Sequence, residues 1–356
     1  MVAAASFAAI ESIAKARRHH GDGQDLEEKV EFLKTAAHYP NRPPRVLARE
    51  THMSWVFLAG EHVFKLKKPV RNRLLDFSTL RAREFNCREE VRLNQRLSPD
   101  TYLGMVALAR LSGGELSFGP GGRIVDWLVK MRRLPAERML DVLLTRHLVR
   151  ARLIDELATL LASFYRRVEH PVLSSAAHAR RFLREQRLNR EVLTHEGFRI
   201  DAEKARRVLG ELDEALIRCR PLLDNRVRGG FILEGHGDLR PEHICFTRPI
   251  AIFDCLEFNR DLRLVDPFDE LAFLEVECAL LGAEWFGPVL MRKVESMLGD
   301  RPDDALLRLY RMFRAVLRAR LTLAHLLDRA PREPSKWEPL ADRYLELAER
   351  FSDARP

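Results

Sequence analysis

Two aspartates in the C-terminal half have the types and spacing of a phosphoryl-transfer site. Asp238 follows His236 and Gly237 where a predicted strand gives way to a loop, and Asp254 ends a second apolar strand. Carboxylates at the ends of neighbouring hairpin strands can face one pocket. Phosphoryl transfer uses one carboxylate to accept the proton of the attacking hydroxyl and another to hold the divalent ion on the nucleotide phosphates. Taken singly, each aspartate is more simply explained as a turn or capping residue.

The segment that carries these aspartates is a strand-like island, FILEGHGDLRPEHICFTRPIAIFDCLEF, at 231–258. On both sides of it, apolar residues recur at spacings of three and four with charged residues between them. This pattern predicts helices over 143–167, 176–194, 202–219 and much of 287–350. We also expect an aspartate, Asp269, to cap a helix that starts near residue 270.

The region from about 45 to 131 is predicted to be mostly strand. RVLARE, SWVFLAG and HVFKLKK are rich in Val, Phe and Trp and are separated by short turns, and a second strand pair reads GMVALARL and GRIVDWLVKM. Between the two groups, FSTLRAREFNCREEVRLNQRL has helical periodicity and precedes Pro99. Its predicted apolar face contains Leu80, Phe85, Val91, Leu93 and Leu97.

These patterns predict an α+β fold in three parts. They are a helical N-terminal extension at 1–44, a small β-rich N-lobe at 45–131 and a larger helical C-lobe at 132–356. No internal repeat or low-complexity tract interrupts this order.

Composition excludes several other classes of protein. The 356 residues are 46% hydrophobic and 31% charged, which is typical of a globular chain rather than a disordered one. The net charge is +8, but 60 basic and 52 acidic residues are intermixed, so a nucleic-acid-binding protein is the weaker interpretation. Five cysteines without a CxxC spacing favour a reducing cytoplasm, and no segment has the pattern of a secretory signal or a membrane span.

Three motifs in order carry a family resemblance. HGDLRPEHI resembles the HGDxxxxN loop of the aminoglycoside phosphotransferase-like kinases, IFDCLEF resembles their metal-binding strand, and DPFDELAFL resembles their DPxxDLA segment. The chain is also similar to an uncharacterised bacterial branch of that family, often fused to a P-loop kinase domain. No GxxxxGK[ST] motif occurs, so that domain is expected to be absent. The resemblance covers about residues 45–330 and implies a two-lobed protein-kinase-like fold with ATP in the cleft.

The resemblance implies roles for individual residues. Asp238 matches the catalytic aspartate, His236 would brace its loop, and Asp254 matches the metal ligand. Lys65 is the first choice for the lysine that contacts the nucleotide phosphates, and Lys67, on the same strand face, is the alternative.

A buried lysine needs an anionic partner, for which Glu90 is the first choice and Glu89 the alternative. Lys67 and Lys68 are otherwise expected to lie at an exposed strand end. The hinge is expected within 127–132, where backbone groups around Lys130 and Met131 would contact adenine.

Two residues depart from the family pattern. His243 stands where the family has Asn, and imidazole is a poorer Mg²⁺ ligand than an amide oxygen. His243 is therefore either a second metal ligand, with Mn²⁺ replacing Mg²⁺, or a supporting residue beside a single ion held by Asp254. Arg240, two residues beyond the aspartate that matches the catalytic position, either neutralises charge on the transferred phosphoryl group or is a surface arginine.

Further residues have weaker functional interpretations. Thr51 and Ser54 lie in the first predicted hairpin turn, where a phosphate-covering loop is expected, and their side chains can donate hydrogen bonds. Glu275, Glu277 and Glu284 either face a cationic acceptor or form one solvated surface.

The sequence therefore predicts an ATP-dependent phosphotransferase acting on a small-molecule hydroxyl, with Mg²⁺ as the metal and Mn²⁺ as an alternative. A nucleotide-binding pseudokinase with a regulatory or partner-binding role is the alternative function. The sequence predicts neither the acceptor nor the oligomeric state.

Overall fold

The computed structural model describes residues 22–71, 75–327 and 333–353. Within these ranges the chain forms two compact units. The first, called the sheet unit, contains residues 22–136 and 247–259; the second, called the helical unit, contains 137–246 and 260–353. The α+β fold with a β-rich N-terminal part and a helical C-terminal part is confirmed.

A six-stranded antiparallel sheet forms the centre of the sheet unit. The strands are β1 Val46–Glu50, β2 Ser54–Ala59, β3 His62–Lys67, β4 Tyr102–Arg110, β5 Leu116–Phe118 and β6 Arg123–Arg132. Their order in the sheet is β1-β2-β3-β6-β4-β5. Both predicted strand pairs are present. The register places Ser54 opposite Lys67 and Val56 opposite Lys65, which fixes the two lysines on one face of β3.

Two helices pack on this sheet, α1 Asp22–Lys34 and α2 Leu80–Asn94. Leu26, Val30 and Leu33 of α1 join the apolar core of the sheet unit. The helical extension predicted for 1–44 therefore contains one described α-helix and a 3-10 turn at Ala36–His38, and residues 1–21 lie outside the described residues.

Helix α2 begins where Thr79 Oγ1 accepts a hydrogen bond from Ala82 N–H, a normal N-cap. Its predicted apolar face is wrong at Phe85, whose relative exposure is 62%. Much of the buried face is polar instead and includes Asn86, Glu90 and Asn94. Glu90 and Asn94 have partners elsewhere in the unit, whereas Asn86 bonds to the Ala82 carbonyl of its own helix. Apolar periodicity cannot indicate such contacts.

The segment 247–259 belongs to the sheet unit because its backbone is bonded to it. Ser98 Oγ donates to the Ile252 carbonyl at 2.6 Å, and Asn94 Oδ1 accepts from Cys255 N–H at 2.8 Å. The predicted domain boundaries at 44 and 131 stay predictions. The segment contains the short strand β9 Ala251–Ile252.

Nine helices are present in the described part of the helical unit. The predicted helix over 143–167 is two helices, because His147 adopts φ +55 and interrupts it. The helices are α3 Leu140–Thr145, α4 Ala151–Arg167, α5 Ser175–Leu193, α6 Ala202–Arg218, α7 Arg220–Arg228, α8 Pro267–Leu280, α9 Phe286–Leu298, α10 Asp304–Ala324 and α11 Pro334–Asp353.

The helical unit also contains short strands around the HGD motif. β7 Leu233–Glu234 pairs with β10 Leu264–Val265, and β8 Ile244–Cys245 follows a 3-10 turn at Pro241–His243. Gly237 adopts φ +85, a left-handed conformation that glycine reaches at little cost, in the turn leading to Asp238.

The capping prediction for Asp269 is wrong. Helix α8 begins at Pro267, and Asp266 is its N-cap, accepting a hydrogen bond from Phe268 N–H at 2.9 Å. Asp269 lies inside the first turn, is buried and forms a two-point ion pair with Arg314.

Candidate functional site

Five charged side chains meet in the sheet unit and are called here the lysine cluster: Lys65, Lys67, Glu90, Asp254 and Glu257. Lys65 Nζ lies 2.9 Å from Glu90 Oε1 and 2.7 Å from Asp254 Oδ1. Lys67 Nζ lies 2.6 Å from Glu90 Oε2 and also contacts Glu257 Oε1. Glu90 thus holds one lysine on each carboxylate oxygen.

Opposite charges at ion-pair distance keep Lys65 and Glu90 of the lysine cluster ionised despite their burial. Burial alone would lower the pKa of Lys65, but Asp254 and Glu90 raise it well above the ordinary lysine value. Burial would raise the pKa of Glu90, but Lys65 and Lys67 hold it below the ordinary glutamate value. These side chains therefore form a compact, ionised group rather than a set of neutralised residues.

Asp254 is the most exposed member of the lysine cluster, with 42% of its side chain accessible, whereas Lys65 is at 14%. Its backbone adopts φ +61, which is uncommon for a residue with a side chain. Its N–H donates to Tyr102 Oη at 3.1 Å. Such strained conformations persist where the surrounding structure fixes them and are frequent at functional sites.

Sequence reasoning paired Lys65 with Glu90 rather than Glu89, and that ion pair is present. Glu89 instead pairs with Arg92 on the surface of α2. The expectation that Lys67 and Lys68 lie at an exposed strand end is wrong, because both are buried. Lys67 is in the lysine cluster, and Lys68 pairs with Glu50 and donates to the Thr51 carbonyl.

Glu257 is a member of the lysine cluster that sequence reasoning missed. The one signal that could have found it was its place in IFDCLEF, three residues beyond Asp254.

The predicted phosphate-covering residues Thr51 and Ser54 bond to each other. Thr51 Oγ1 donates to the Ser54 carbonyl at 2.9 Å and accepts from Ser54 N–H at 3.0 Å. These contacts close the β1–β2 turn. A role toward phosphate stays a prediction for both.

Lys130 and Met131, predicted to flank the adenine-binding hinge, lie within strand β6. Lys130 is opposite Phe64 on β3 and Gly104 on β4, and Met131 is opposite Val63 and Tyr102. The strand continues to Arg132, so the pairing occupies the whole predicted hinge segment. Adenine contacts at these two residues stay a prediction.

In the helical unit, the segment 236–243 is called here the HGD loop. Contacts of His236 and His243 with Asp238 hold it together. His236 is fully buried, and its Nδ1 accepts from Asp238 N–H at 3.3 Å. His243 Nδ1 lies 2.8 Å from the Asp238 carbonyl and 3.7 Å from Asp238 Oδ2. The Asp238 side chain remains 30% accessible. The two imidazoles thus hold the aspartate backbone, and the carboxylate can reach solvent.

A buried carboxylate that sequence reasoning missed, Glu270, positions the HGD loop. Its Oε1 accepts from the backbone N–H groups of His236 and Gly237, both at 2.7 Å, and Tyr165 Oη donates to Oε2 at 3.0 Å. Burial raises the pKa of Glu270 despite these hydrogen bonds. Its place in DPFDELAFL, one residue after Asp269, was the signal that could have found it.

Arg240 of the HGD loop is neither a free surface side chain nor fully buried. It contacts Glu242, and its Nε lies 3.9 Å from Glu277 Oε2. Glu277 also accepts from Arg318 Nε at 2.7 Å and from Tyr344 Oη at 2.9 Å. A phosphate-directed role for Arg240 stays a prediction.

The interpretation of Glu275, Glu277 and Glu284 as one solvated surface is wrong, and a role toward a cationic acceptor stays a prediction. Glu275 and Glu277 are buried and pair with Arg311 and Arg318 respectively, whereas Glu284 forms an exposed pair with Arg350.

No group of three or more His, Cys, Asp or Glu side chains within the described ranges has the geometry of a metal site. A metal ligated by Asp254 or His243 stays a prediction. Throughout residues 22–71, 75–327 and 333–353, no helix combines the length and apolar character needed to cross a bilayer.

Comparison with solved structures decides the fold. A choline/ethanolamine kinase family protein from Mesorhizobium loti superposes with a TM-score of 0.53 at 15% identity, covering 92% of this chain and 95% of that one. A choline kinase from Cryptosporidium parvum gives 0.54 at 10% identity, with coverage of 92% and 95%. The aminoglycoside phosphotransferase APH(4)-Ia gives 0.51 at 11% identity, with coverage of 91% and 98%. The chain has the aminoglycoside phosphotransferase-like kinase fold.

Curated relatives of this kinase-like chain are uncharacterized proteins of Mycobacterium bovis and Mycobacterium tuberculosis. Each is 32% identical over 289 residues, which are 80% of this chain and 56% of the relative. The chain therefore spans about half the length of the curated relatives it matches. No protein-family model matches it.

Proposed function

We propose that this kinase-fold chain is an ATP-dependent phosphotransferase that acts on a hydroxyl of a small molecule. The observation that carries the proposal is the placement of Lys65 against both Glu90 and Asp254 within hydrogen-bonding distance. In protein kinases a strand lysine paired with a helix glutamate positions the nucleotide phosphates, and an aspartate holds the metal ion.

Asp238 is the proposed general base. Its carboxylate is partly accessible, while its backbone is held by His236 and His243. The proposed step moves the acceptor hydroxyl proton to an Asp238 oxygen as the hydroxyl oxygen bonds to the γ-phosphorus and the bond to the β,γ-bridging oxygen breaks. ADP leaves with that bridging oxygen.

Lys65 is the proposed contact to the nucleotide phosphates. Its two carboxylate partners keep it protonated at any physiological pH, because they raise its pKa. Glu90 keeps the ammonium fixed and is itself fixed by Lys67. Lys67 is thus proposed as a support for Glu90 rather than as the phosphate-binding lysine.

A divalent cation fits the chemistry of these residues. Mg²⁺ is usually held by one or two carboxylates together with substrate phosphates, so an all-protein cage is not needed. Asp254 is the proposed ligand because its carboxylate is the most accessible in the lysine cluster. When bound, such an ion offsets negative charge on the phosphates. His243 is proposed as a brace of the HGD loop, because its Nδ1 is bonded to the Asp238 carbonyl.

The first test measures ADP production from Mg-ATP. Choline, ethanolamine, an aminoglycoside and a pooled set of sugars and amino alcohols serve as acceptors, since the structural neighbours are named for the first three. Asp238→Asn should lower turnover by at least about 10²-fold, the usual contribution of a general base, while nucleotide affinity changes little. Asp155→Asn, an exposed aspartate paired with Lys293, is the matched control and should keep wild-type turnover.

The second test measures nucleotide binding by calorimetry with and without Mg²⁺ or Mn²⁺. Asp254→Asn should remove the metal dependence of ATP binding. Metal-dependent ATP binding in the wild type without ADP production on any acceptor would contradict phosphotransfer. That outcome would support the pseudokinase alternative, which the histidine at position 243 favours.

A further inference from the structure

An arginine-rich cavity lies within the helical unit. Its volume is about 880 Å³, and it lies along α5 between that helix, Asp213 of α6 and the segment that contains Asp261 and Leu264. Five arginines line it, each a turn of α5 or less from the next: Arg180, Arg181, Arg184, Arg187 and Arg190. The volume is in the range of small-molecule pockets, about 300–1,000 Å³.

The positive charge of this arginine cavity is only partly compensated by its own lining. The five arginines face two lining carboxylates, so the formal excess is three positive charges. Asp213 is already bonded to Arg190 and to Gln186 Nε2, the latter at 2.9 Å. Arg180 and Arg187 have no ion-pair partner within the described residues.

Arg181 is the lining arginine that is held by backbone carbonyls. It is half-buried, and its Nη1 donates to the Asp261 carbonyl at 3.1 Å and to the Leu264 carbonyl. Burial lowers the pKa of Arg181 from its ordinary value, and the neighbouring charges of Arg314 and Arg184 lower it further, against the opposing effect of Asp269 and Glu185. An anion beside this guanidinium would relieve that cost.

A buried histidine completes the polar lining. His178 is 7% exposed, and its Nε2 has no hydrogen-bond partner within the part of the chain that the structure describes. Apolar side chains, including Leu173 and Leu183, form other parts of the wall. The lining therefore offers several cationic donors and an apolar surface on which a ligand body can rest.

We propose that the arginine cavity binds a small molecule that carries at least two negative charges on phosphate or carboxylate groups. Guanidinium groups bind both through paired N–H donors, so the chemistry is shared. A cavity of this volume along one helix favours a small molecule over an extended polyanion. This binding site is separate from the residues assigned to phosphate transfer and does not depend on that assignment.

The test titrates the full chain with inorganic pyrophosphate and with citrate, without nucleotide, by calorimetry at low ionic strength. Arg180→Gln combined with Arg187→Gln should weaken binding at least about tenfold, because charge-assisted hydrogen bonds are among the stronger ones. Preference for pyrophosphate or for citrate distinguishes a phosphorylated ligand from a polycarboxylate.

The matched control removes two arginines elsewhere. Arg152→Gln combined with Arg218→Gln lowers the net charge equally at exposed helical positions outside the cavity and should change binding less than about twofold. Equal weakening by both double variants would overturn the proposal, because it would indicate a non-specific charge effect. Thermal unfolding of each variant establishes that it is folded.

Two further variants locate the site. Asp213→Asn releases Arg190 and should tighten binding, an effect of opposite sign that loss of folding cannot mimic. Lys65→Ala can remove only binding at the lysine cluster, so the binding that Arg180→Gln combined with Arg187→Gln weakens should persist in it. Loss of binding in Lys65→Ala with no change in the cavity variant would place the anion at the lysine cluster and overturn the proposal. The absence of binding of either probe at millimolar concentration would also overturn it.

Discussion

Glu90 and Lys67 form an ion pair in which both side chains are fully buried, with 2.6 Å between Oε2 and Nζ. The pair joins helix α2 to strand β3, and the second oxygen of Glu90 holds Lys65. A buried pair of this kind contributes little net stability compared with apolar packing, but losing one partner leaves a charge uncompensated. Its value to this protein is therefore the position it gives to the Lys65 ammonium.

Glu90→Gln should destabilise the chain by about 3–5 kcal/mol, because it leaves two lysines with less negative charge in a buried setting. Urea unfolding followed by circular dichroism measures the change. Glu89→Gln on the same helix is the matched control, and its loss of a surface pair with Arg92 should cost less than about 1 kcal/mol. Similar losses in both variants would contradict the special position of Glu90.

The sequence predicted the Lys65–Glu90 pair for two reasons. The family resemblance implies a strand lysine with a glutamate partner on the following helix, and a lysine buried in an apolar strand needs an anionic partner. It did not predict that Lys67 is also in the lysine cluster and more deeply buried than Lys65. The reason is that Glu257, its second partner, is about 190 residues away in the chain, and such a contact has no local pattern. Burial of a charged side chain depends on distant partners, whereas strand and helix patterns report only on near neighbours.

Gly235→Ala should disturb the HGD loop through Glu270. A Cβ at Gly235 would lie 2.6 Å from Glu270 Oε1 and 2.7 Å from Val265 Cγ2, distances that force the carboxylate to move. The hydrogen bonds from the His236 and Gly237 N–H groups to Glu270 would then weaken. Amide hydrogen exchange should accelerate at both positions, and mass spectrometry of the corresponding peptides measures it.

If phosphotransfer is confirmed, Gly235→Ala should lower kcat more than it raises the KM for ATP, because Asp238 loses its position while the lysine cluster is unchanged. Tyr165→Phe removes only the hydrogen bond to the other Glu270 oxygen and should have a smaller effect on exchange. Unchanged exchange in Gly235→Ala would contradict the positioning role of Glu270.

His178 should make stability depend on pH between about 6.5 and 4. Burial lowers its pKa to about 4, whereas an unfolded histidine titrates near 6.5. The unfolded state therefore takes up the proton first, so the stabilising contribution is complete above pH 6.5 and is lost as pH falls toward 4. The difference of about 2.5 pKa units corresponds to about 3 kcal/mol.

The measurement compares the free energy of unfolding of the wild type and His178→Gln across this pH range. The wild type should lose more stability than the variant as the pH falls from 6.5 to 4. If the free energies of unfolding of the wild type and His178→Gln changed in parallel with pH, the His178 imidazole would take up a proton as readily in the folded chain as in the unfolded one, contrary to this prediction.

In the helical unit, amphipathic spacing predicted the helices well but misjudged the acidic residues of α8. From the sequence, Asp269 has the appearance of a helix cap, and Glu275 and Glu277 have the appearance of a solvated helix face. The structure buries all three because arginines on α10 pair with each of them. Whether an acidic residue inside an apolar run is exposed or buried depends on the helix that packs against it. The position of α8 was therefore predictable from the sequence, but its charged contacts were not.

Helix α9 packs closely on α8 at Gly287, so a methyl group added there is expected to destabilise the chain. A Cβ at Gly287 would lie 2.2 Å from Glu275 Cγ and 2.9 Å from its Cα, and Glu275 is itself held by Arg311 at 2.8 Å. Because backbone must move as well as side chain, Gly287→Ala should cost about 1–3 kcal/mol, typical of overpacking.

Gly210 lies inside α6, and apart from its chain neighbours and the adjacent backbone of that helix, no atom of the described residues is within 4 Å of the position that a Cβ would take there. Gly210→Ala should therefore stabilise the chain by about 0.5–1 kcal/mol. Both substitutions add one methyl group to a helix, Gly287 in the first turn of α9 and Gly210 in the middle of α6, but only Gly287 contacts α8. Urea unfolding of the two variants isolates the α8–α9 contact. A gain in stability for Gly287→Ala would mean that the two helices can separate without cost, and the close packing around Glu275 would then be wrong.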